Sequence, residues 1–204
     1  MTRFVKKGTF VKIHMTIIIV MVLYSCKEES YPIAYSSSES GDREIYLTND
    51  KGENKIKITD NPGADGYPDW SPDGKQIVFY AKYDNGKTWS MHTMNKDGTN
   101  RKRLTHEKNK WDSSPTWSPD GKKIAFAREY ADSEGNWQEE VWIMNADGSE
   151  QTQLKTISGR APCFMKDGRI LFHSQSDTGQ ICIANRDGRN IICLLYTSPS
   201  PRDA

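Results

Sequence analysis

The sequence lacks a long hydrophobic run. Its longest apolar stretch, Met15 to Leu23 (M-T-I-I-I-V-M-V-L), is shorter than the ~20 residues that a membrane-spanning helix needs. Basic residues precede this stretch at Arg3, Lys6, Lys7 and Lys12. A basic segment followed by a short apolar one is typical of a secretory signal. We therefore expect residues 1–25 to be a signal peptide and leave them out of the fold prediction.

The sequence also lacks an excess of either charge. With 28 Lys and Arg residues against 27 Asp and Glu residues, its net charge is +1. No segment carries the basic stripe that a nucleic-acid-binding surface shows. We therefore expect no nucleic-acid partner.

Catalytic and metal-binding patterns are missing as well. No two glycines lie four residues apart, which excludes a Gly-x-Ser-x-Gly nucleophile elbow. The histidines show no metal-ligand spacing; they are His14, His92, His106 and His173. The loop Asp132-Ser-Glu-Gly-Asn136 is a weak candidate for binding a cation, and no segment has EF-hand spacing. We predict no catalytic residue, no metal site and no cofactor.

Cysteine is scarce, with four residues in the chain. An oxidising compartment would allow Cys163 and Cys182 to form a disulfide. The preferred interpretation is that they are ordinary buried thiols.

Cys26 has a different setting, at the end of the stretch Leu23-Tyr-Ser-Cys26. This stretch resembles a bacterial lipobox, with Tyr24 bulkier than usual, and the resemblance implies that Cys26 is lipidated and becomes the mature N-terminus. The alternative is a buried or accidental cysteine. Residues 26–30 would then be a short tether, in which Lys27-Glu28-Glu29 resembles a lipoprotein surface-export signal.

The other end of the chain has an unusual composition. Residues 193–203 (C-L-L-Y-T-S-P-S-P-R-D) resemble one reading frame of a transposase sequencing adapter. We therefore expect native sequence to end near Ile192 and residues 193–204 to be non-native read-through, so that the chain is a piece of a longer protein. The alternative is a native tail rich in Ser and Pro.

What the chain does contain is an internal repeat. P-D-W-S-P-D-G at 68–74 matches P-T-W-S-P-D-G at 115–121 and, more loosely, P-C-F-M-K-D-G at 162–168, each 47 residues after the last. A second pattern, Asn-x-Asp-Gly, follows in each unit and ends at Gly98, Gly148 and Gly188. Short alternating apolar segments lie between the two. Four strands in a unit of 40–50 residues are typical of a β-propeller blade.

The chemistry of both repeated patterns indicates hairpin turns. Proline presets φ, aspartate bonds to the turn backbone, and glycine accepts the positive φ that such turns need. The first pattern would join strands a and b of a blade, and the second strands c and d. The predicted turn residues are Ser71, Pro72, Asp73, Gly74, Ser118, Pro119, Asp120, Gly121, Asp167, Gly168, Asp97, Gly98, Asp147, Gly148, Asp187 and Gly188.

An aromatic residue precedes each first turn, at Trp70, Trp117 and Phe164. We expect these side chains to pack between neighbouring blades, where burying one contributes about 1.5–3 kcal/mol. Contact with a ligand is the alternative.

The paired W-S-P-D-G and N-x-D-G turns resemble the TolB-type, WD40-like propeller repeat over residues 31–192. The resemblance implies an all-β fold, a β-propeller of four-stranded blades, with roughly six to eight blades in the full-length protein. Four blades are expected here, at about 31–59, 67–105, 114–155 and 161–192. The first lacks its innermost strand a, and we expect the C-terminus of the intact protein to supply it.

The function class follows from the loops that do not repeat. The b–c and d–a connections vary in length and carry aromatic residues, and binding commonly resides in such loops on a rigid scaffold. The candidate binding residues are Tyr83, Trp111, Tyr130 and Trp137; the alternative is that these rings fold back onto the blades.

Taken with the lipobox, the pattern predicts a non-enzymatic lipoprotein of the bacterial cell envelope. It would be held at a membrane by its lipid anchor, on the periplasmic or outer-membrane surface. Its propeller would bind a protein, a peptide or a glycan. The alternative is a propeller fragment of a larger enzyme, either a prolyl-oligopeptidase-type serine peptidase or a polysaccharide lyase.

Overall fold

The strands are short and fall into groups separated by the repeated turns. The computed structural model describes residues 32–176 and 179–194. The expected signal peptide, Cys26, the tether and residues 195–204 lie outside this part of the chain. Among the described residues, no helix has the length and apolar character needed to cross a membrane.

Each group of strands forms an antiparallel blade. Blade 1 has β1 (Ile33–Ser37), β2 (Glu44–Thr48) and β3 (Ile56–Lys57); blade 2 has β4 (Asp65–Trp70), β5 (Gln76–Tyr83), β6 (Thr88–Asn95) and β7 (Lys102–Arg103). Blade 3 has β8 (Trp111–Trp117), β9 (Lys123–Ala131), β10 (Trp137–Asn145) and β11 (Thr152–Phe164), and blade 4 adds β12 (Ile170–Ser174), β13 (Ile181–Ala184) and β14 (Ile192–Cys193).

The order of strands within a blade follows the chain. Blade 2 pairs β4 with β5, β5 with β6 and β6 with β7, while blade 1 has only the order β1-β2-β3 in the described residues. The predicted all-β propeller with an incomplete first blade is therefore confirmed.

One strand is longer than its repeat suggests. β11 runs for 13 residues without a break, so that it ends blade 3 by pairing with β10 and begins blade 4 by pairing with β12. No proline interrupts residues 152–161, and the Ser158-Gly159 pair lies inside the strand rather than in a turn. The backbone at Gly159 passes so close to β12 that a Cβ there would lie 2.3 Å from the His173 carbonyl oxygen.

Alternate side chains of each strand face opposite neighbours, because successive residues of a strand point to opposite sides. In β5, Ile77 and Phe79 pack with Ile45 of blade 1, whereas Val78 and Tyr80 pack with blade 3. Three apolar clusters result, one at each junction between blades, and the aromatic residues before the first turns belong to them. Trp70 packs against the first cluster, Trp117 is part of the second, and Phe164 packs against the third.

The two W-S-P-D-G turns have the same hydrogen bonds. In blade 2 the Gly74 N–H donates to the Ser71 carbonyl at 2.8 Å, and the Ser71 hydroxyl donates to Asp73 at 2.7 Å. In blade 3 the corresponding distances are 2.8 and 2.6 Å. Donation by the Ser118 hydroxyl and the Lys122 N–H lowers the pKa of Asp120 to about 2.

A bulge follows the start of strand a in every blade that has one. The register shifts between Gly66 and Asp69, and at the same place in β8 and β11. One residue of each bulge has a positive φ: 50° at Tyr67, 49° at Ser114 and 49° at Ala161. Each of the three precedes a proline. The bulge is therefore a feature of the repeat that sequence reasoning did not anticipate.

The disulfide joins Cys182 to Cys193 rather than to Cys163. Cys182 bonds to Cys193, which lies directly opposite it on the neighbouring strand β14. Cys163 is exposed and free, so both sequence-based interpretations of Cys163 are wrong. The reason is strand order, since β12 separates Cys163 on β11 from Cys182 on β13.

Polar groups also link the blades and the strands. The Asp69 carboxylate accepts the backbone N–H of Trp117 in the next blade at 2.8 Å, and burial raises the pKa of Asp69. Within blade 3, Arg128 donates two hydrogen bonds to Asp112, at 2.6 and 2.8 Å, and both side chains are buried. The Arg128 guanidinium lies 4.5 Å from the centre of the Trp142 ring.

We predict that Arg128→Met destabilises the chain strongly, because it leaves the Asp112 carboxylate buried and unpaired. The expected loss in the free energy of unfolding is about 3–5 kcal/mol, measured by urea denaturation. Arg169→Met is the matched control, because the Arg169–Asp167 pair is also 2.8 Å long but solvent-exposed. Arg169→Met should lower the free energy of unfolding by less than about 1 kcal/mol. Equal losses in the two variants would contradict the stabilising role of the buried Arg128–Asp112 pair.

Two turn glycines of similar φ differ in their surroundings. Gly98 has φ +81° and a Cβ there would lie 2.5 Å from the Ile58 carbonyl oxygen of blade 1. Gly168 has φ +84° and nothing lies within 4 Å of such a Cβ. Gly168→Ala should cost about 1–2 kcal/mol from backbone strain alone, and Gly98→Ala more, because blade 1 must move. Thermal denaturation of both variants tests the packing of blade 1 on blade 2.

His92 should make stability depend on pH. It is 2% exposed; its Nδ1–H donates to the Ser90 carbonyl and its Nε2 accepts the Tyr83 hydroxyl. Burial, followed by the positive charge of Arg101, lowers the pKa of His92 to about 4, against about 6.5 in an unfolded chain. The unfolded state therefore binds the proton first as pH falls.

Between pH 7 and pH 4 the wild type should thus lose about 3 kcal/mol more stability than His92→Gln. The check is urea denaturation across this pH range. His106→Gln, at an exposed position, should keep the wild-type dependence. If the free energy of unfolding varies with pH in the same way for the wild type and His92→Gln, the pH dependence does not come from His92.

Candidate functional site

Five aromatic rings form a continuous row across blades 2 and 3. The successive ring centres are 5.6 Å apart from Tyr67 to Tyr80, 4.8 Å to Trp89, 5.1 Å to Trp111 and 5.1 Å to Trp137. Such separations are favourable for aromatic pairs and contribute beyond the area they bury. The row is therefore a single packed unit.

The two ends of the row are open, whereas its middle is closed. Trp89 stacks with Tyr80, at 17° between ring planes, and with Trp111, at 13°. Tyr80 is 1% exposed, while Tyr67 and Trp137 are 55% and 41% exposed. A partner would therefore contact mainly Tyr67 and Trp137, at the two ends of the row.

The rings of the row lie on strands rather than in connecting loops. Tyr80 on β5 lies opposite Gly66 on β4, where a side chain is excluded because a Cβ would lie 2.7 Å from the Tyr80 hydroxyl oxygen. Trp89 and Trp111 are paired across the parallel contact between β6 and β8. Tyr67 occupies the positive-φ position of the bulge in β4. The row is thus built on the rigid part of the fold.

Cations flank the row on the side of blades 1 and 2. The Arg43 Nη1 donates to the Tyr80 hydroxyl at 3.3 Å, and the Lys82 Nζ lies 4.3 Å from the Trp89 ring centre. Burial, followed by the charge of Arg43, lowers the pKa of Lys82. Burial raises the pKa of Tyr80, against the effect of Arg43.

The charge is reversed near the other end of the row. Glu129 lies opposite Trp111, and opposite Glu139 across β9 and β10. Burial and the nearby Glu139 charge raise the pKa of Glu129, although Ser113 donates a hydrogen bond to it. Arg160 lies 3.8 Å from Glu139. The row therefore runs from a basic end to an acidic one.

Two of the four residues expected to form a binding face belong to the row, namely Trp111 and Trp137. Tyr130 does not touch it: its hydroxyl donates to Glu140 at 2.8 Å, and Lys110 lies 4.2 Å from its ring centre. Tyr83 is turned toward buried His92, with Arg103 4.6 Å from its ring centre.

Sequence reasoning missed Tyr67, Tyr80 and Trp89. The prediction was drawn from the segments of variable length between repeats, and Tyr67, Tyr80 and Trp89 fall outside those segments, on β4, β5 and β6. A usable signal was present, because each of the three lies on a strand near the d–a or b–c connection at the same end of blade 2.

The described residues contain no group of three His, Cys, Asp or Glu side chains placed to hold a metal ion. The Asp132 loop uses its carboxylate internally, since Asp132 accepts the backbone N–H groups of Glu134 and Asn136 and the side-chain amide of Gln138. At the opposite end of the strands, a groove of about 400 Å³ lies between the two W-S-P-D-G turns.

Comparison with solved structures shows propellers of the same kind. A TolB protein from Agrobacterium tumefaciens superimposes with a TM-score of 0.67 and 25% identity, over 79% of this chain and 60% of that one. TolB from Acinetobacter baumannii superimposes with a TM-score of 0.66 and 20% sequence identity, over 80% of this chain and 41% of that one. The chain thus spans less than two thirds of either protein.

An oligogalacturonate lyase from Vibrio parahaemolyticus also superimposes, with a TM-score of 0.58 and 13% identity, over 78% of this chain and 48% of that one. This likeness concerns the fold alone. Comparison with curated protein sequences gives no match. The family model for the TolB beta propeller domain matches residues 18–200, and the chain therefore belongs to the TolB β-propeller domain family.

Proposed function

We propose that the chain is a non-enzymatic lipoprotein of the bacterial cell envelope, whose propeller is a scaffold that binds a protein, peptide or glycan. The observation that carries this proposal is the aromatic row with its two exposed ends. Tyr and Trp are enriched among the residues that dominate binding energy at protein interfaces. Here they are held in place before any partner arrives.

Rigidity is the physical advantage of this arrangement. Binding costs free energy when side chains must be ordered at the interface. Tyr67 and Trp137 are already restrained by ring contacts to Tyr80 and Trp111, so most of that ordering accompanies folding. A partner that covers the exposed rings therefore gains their burial at a reduced entropic cost.

Envelope location is proposed from the family and from the first residues of the sequence. TolB proteins are envelope proteins of the periplasm, and the lipobox-like stretch ending at Cys26 would supply a lipid anchor. More than one acyl chain is needed for firm anchoring. We propose that Cys26 carries such an anchor.

The enzymatic alternative has weaker support. Its basis is the fold similarity to oligogalacturonate lyases, at 13% identity, and one propeller fold serves many unrelated activities. In the described residues the aromatic row, rather than a cluster of acid–base groups, is the distinctive feature.

The test is to immobilise the full chain and measure retention of solubilised envelope proteins and of labelled glycans. Tyr67→Ala and Trp137→Ala should each reduce retention of the partner about tenfold, as loss of a ring that anchors an interface does. Ile56→Ala is the matched control, because Ile56 and Trp137 are both 41% exposed. Equal retention by all four proteins would refute the proposal.

A further inference from the structure

Arg43 and Lys82 are the two cations that contact the basic end of the row, through Tyr80 and Trp89. Arg101 and Arg128 each make two hydrogen bonds to a buried aspartate, Asp65 and Asp112 respectively. By contrast, neither Arg43 nor Lys82 has a carboxylate within ion-pair distance among residues 32–176 and 179–194. The row therefore begins beside two positive charges that nothing described neutralises.

The two charges lie at neighbouring rings, because Arg43 donates to the Tyr80 hydroxyl and Lys82 lies over Trp89, which stacks on Tyr80. Lys82 is partly buried, and the charge of Arg43 adds to burial in disfavouring its ammonium form. A carboxylate placed beside both would relieve their repulsion and gain charge-assisted hydrogen bonds, which are stronger than neutral ones. Asp65 is not available for this purpose, because Arg101 already occupies both of its oxygens.

The closed middle of the row favours a peptide over a sugar. A sugar stacks on an open ring face, but Tyr80, Trp111 and the Lys82 ammonium already lie against the Trp89 ring. Its exposed part is then the ring edge, which carries partial positive charge. The indole N–H groups of Trp111 and Trp137 also make no hydrogen bond within the described part of the chain. Positive edges and N–H donors suit the carbonyl and carboxylate oxygens of an extended peptide.

We propose that the partner segment is an extended acidic peptide, whose carboxylate binds between Arg43 and Lys82 while its backbone runs along the ring edges toward Trp137. This assignment rests on the proposed function, because it uses the same row. About six extended residues cover that length. The acidic residue lies at the Arg43–Lys82 end, because Glu129 and Glu139 would repel it at the other end.

The experiment measures binding of three fluorescently labelled probes to the full chain by anisotropy. One is an eight-residue peptide with two glutamates at one end, one is the same peptide with glutamines, and one is an oligogalacturonate. The acidic peptide should bind about tenfold tighter than the glutamine peptide, as expected for one hydrogen bond to a charged group. Its affinity should fall as salt is added.

Lys82→Met should weaken the acidic peptide about tenfold and leave the glutamine peptide unchanged, because methionine keeps the apolar stem over Trp89. Lys82→Arg should restore binding. Lys87→Met is the control, since Lys87 is exposed in the b–c connection that follows β5 and its replacement should have no effect. If Lys82→Met does not fold, Arg43→Met replaces it, because Arg43 is exposed. Arg43→Met should also weaken the acidic peptide, and wild-type binding of that peptide should still fall as salt is added.

Equal binding of the two peptides would overturn the inference, and so would tighter binding of the oligogalacturonate. If Tyr67→Ala and Trp137→Ala lose a partner that Lys82→Met retains in full, the proposed function stands and the acidic peptide is wrong. If none of these variants affects any binding, both the proposed function and the acidic-peptide inference are wrong.

Discussion

Burial between blades is the constraint on which the rest of this structure depends. A blade is a small sheet with two apolar faces, and it cannot cover either by itself. In β5, Ile77 and Phe79 face one neighbour while Val78 and Tyr80 face the other. Each blade is therefore stable only between others, and the stability of the whole is approximately a sum over neighbouring contacts.

Polar groups are adapted to this constraint. A buried carboxylate needs a partner, and the fold supplies one either within a blade, as Arg128 does for Asp112, or across a junction, as the Trp117 N–H does for Asp69. The repeated turns bring the backbone of one blade onto the next, which is why Gly98 approaches Ile58. Packing and hydrogen bonding thus specify the same spacing between sheets.

The aromatic row belongs to this packing and to the surface at the same time. Tyr80 is part of the cluster between blades 2 and 3, and Trp89 packs against that cluster, yet the same two rings support the exposed Tyr67 and the partly exposed Trp111. The exposed rings are held rigidly because the rings that support them are packed in the core. Residues that stabilise the fold therefore also shape the proposed binding surface.

Local patterns in the sequence determined the strands, the turns and the family, because the Asp-Gly dipeptides and alternating apolar residues act over a few residues and repeat. Trp111 and Trp137 were also recognisable as aromatic residues beside connections of variable length. Only the tertiary structure decided that Tyr67, Tyr80 and Trp89 join them, that Tyr83 turns inward to His92, and that Cys182 pairs with Cys193. These outcomes depend on bulges, on strand order and on contacts between blades, which bring together residues far apart in the chain.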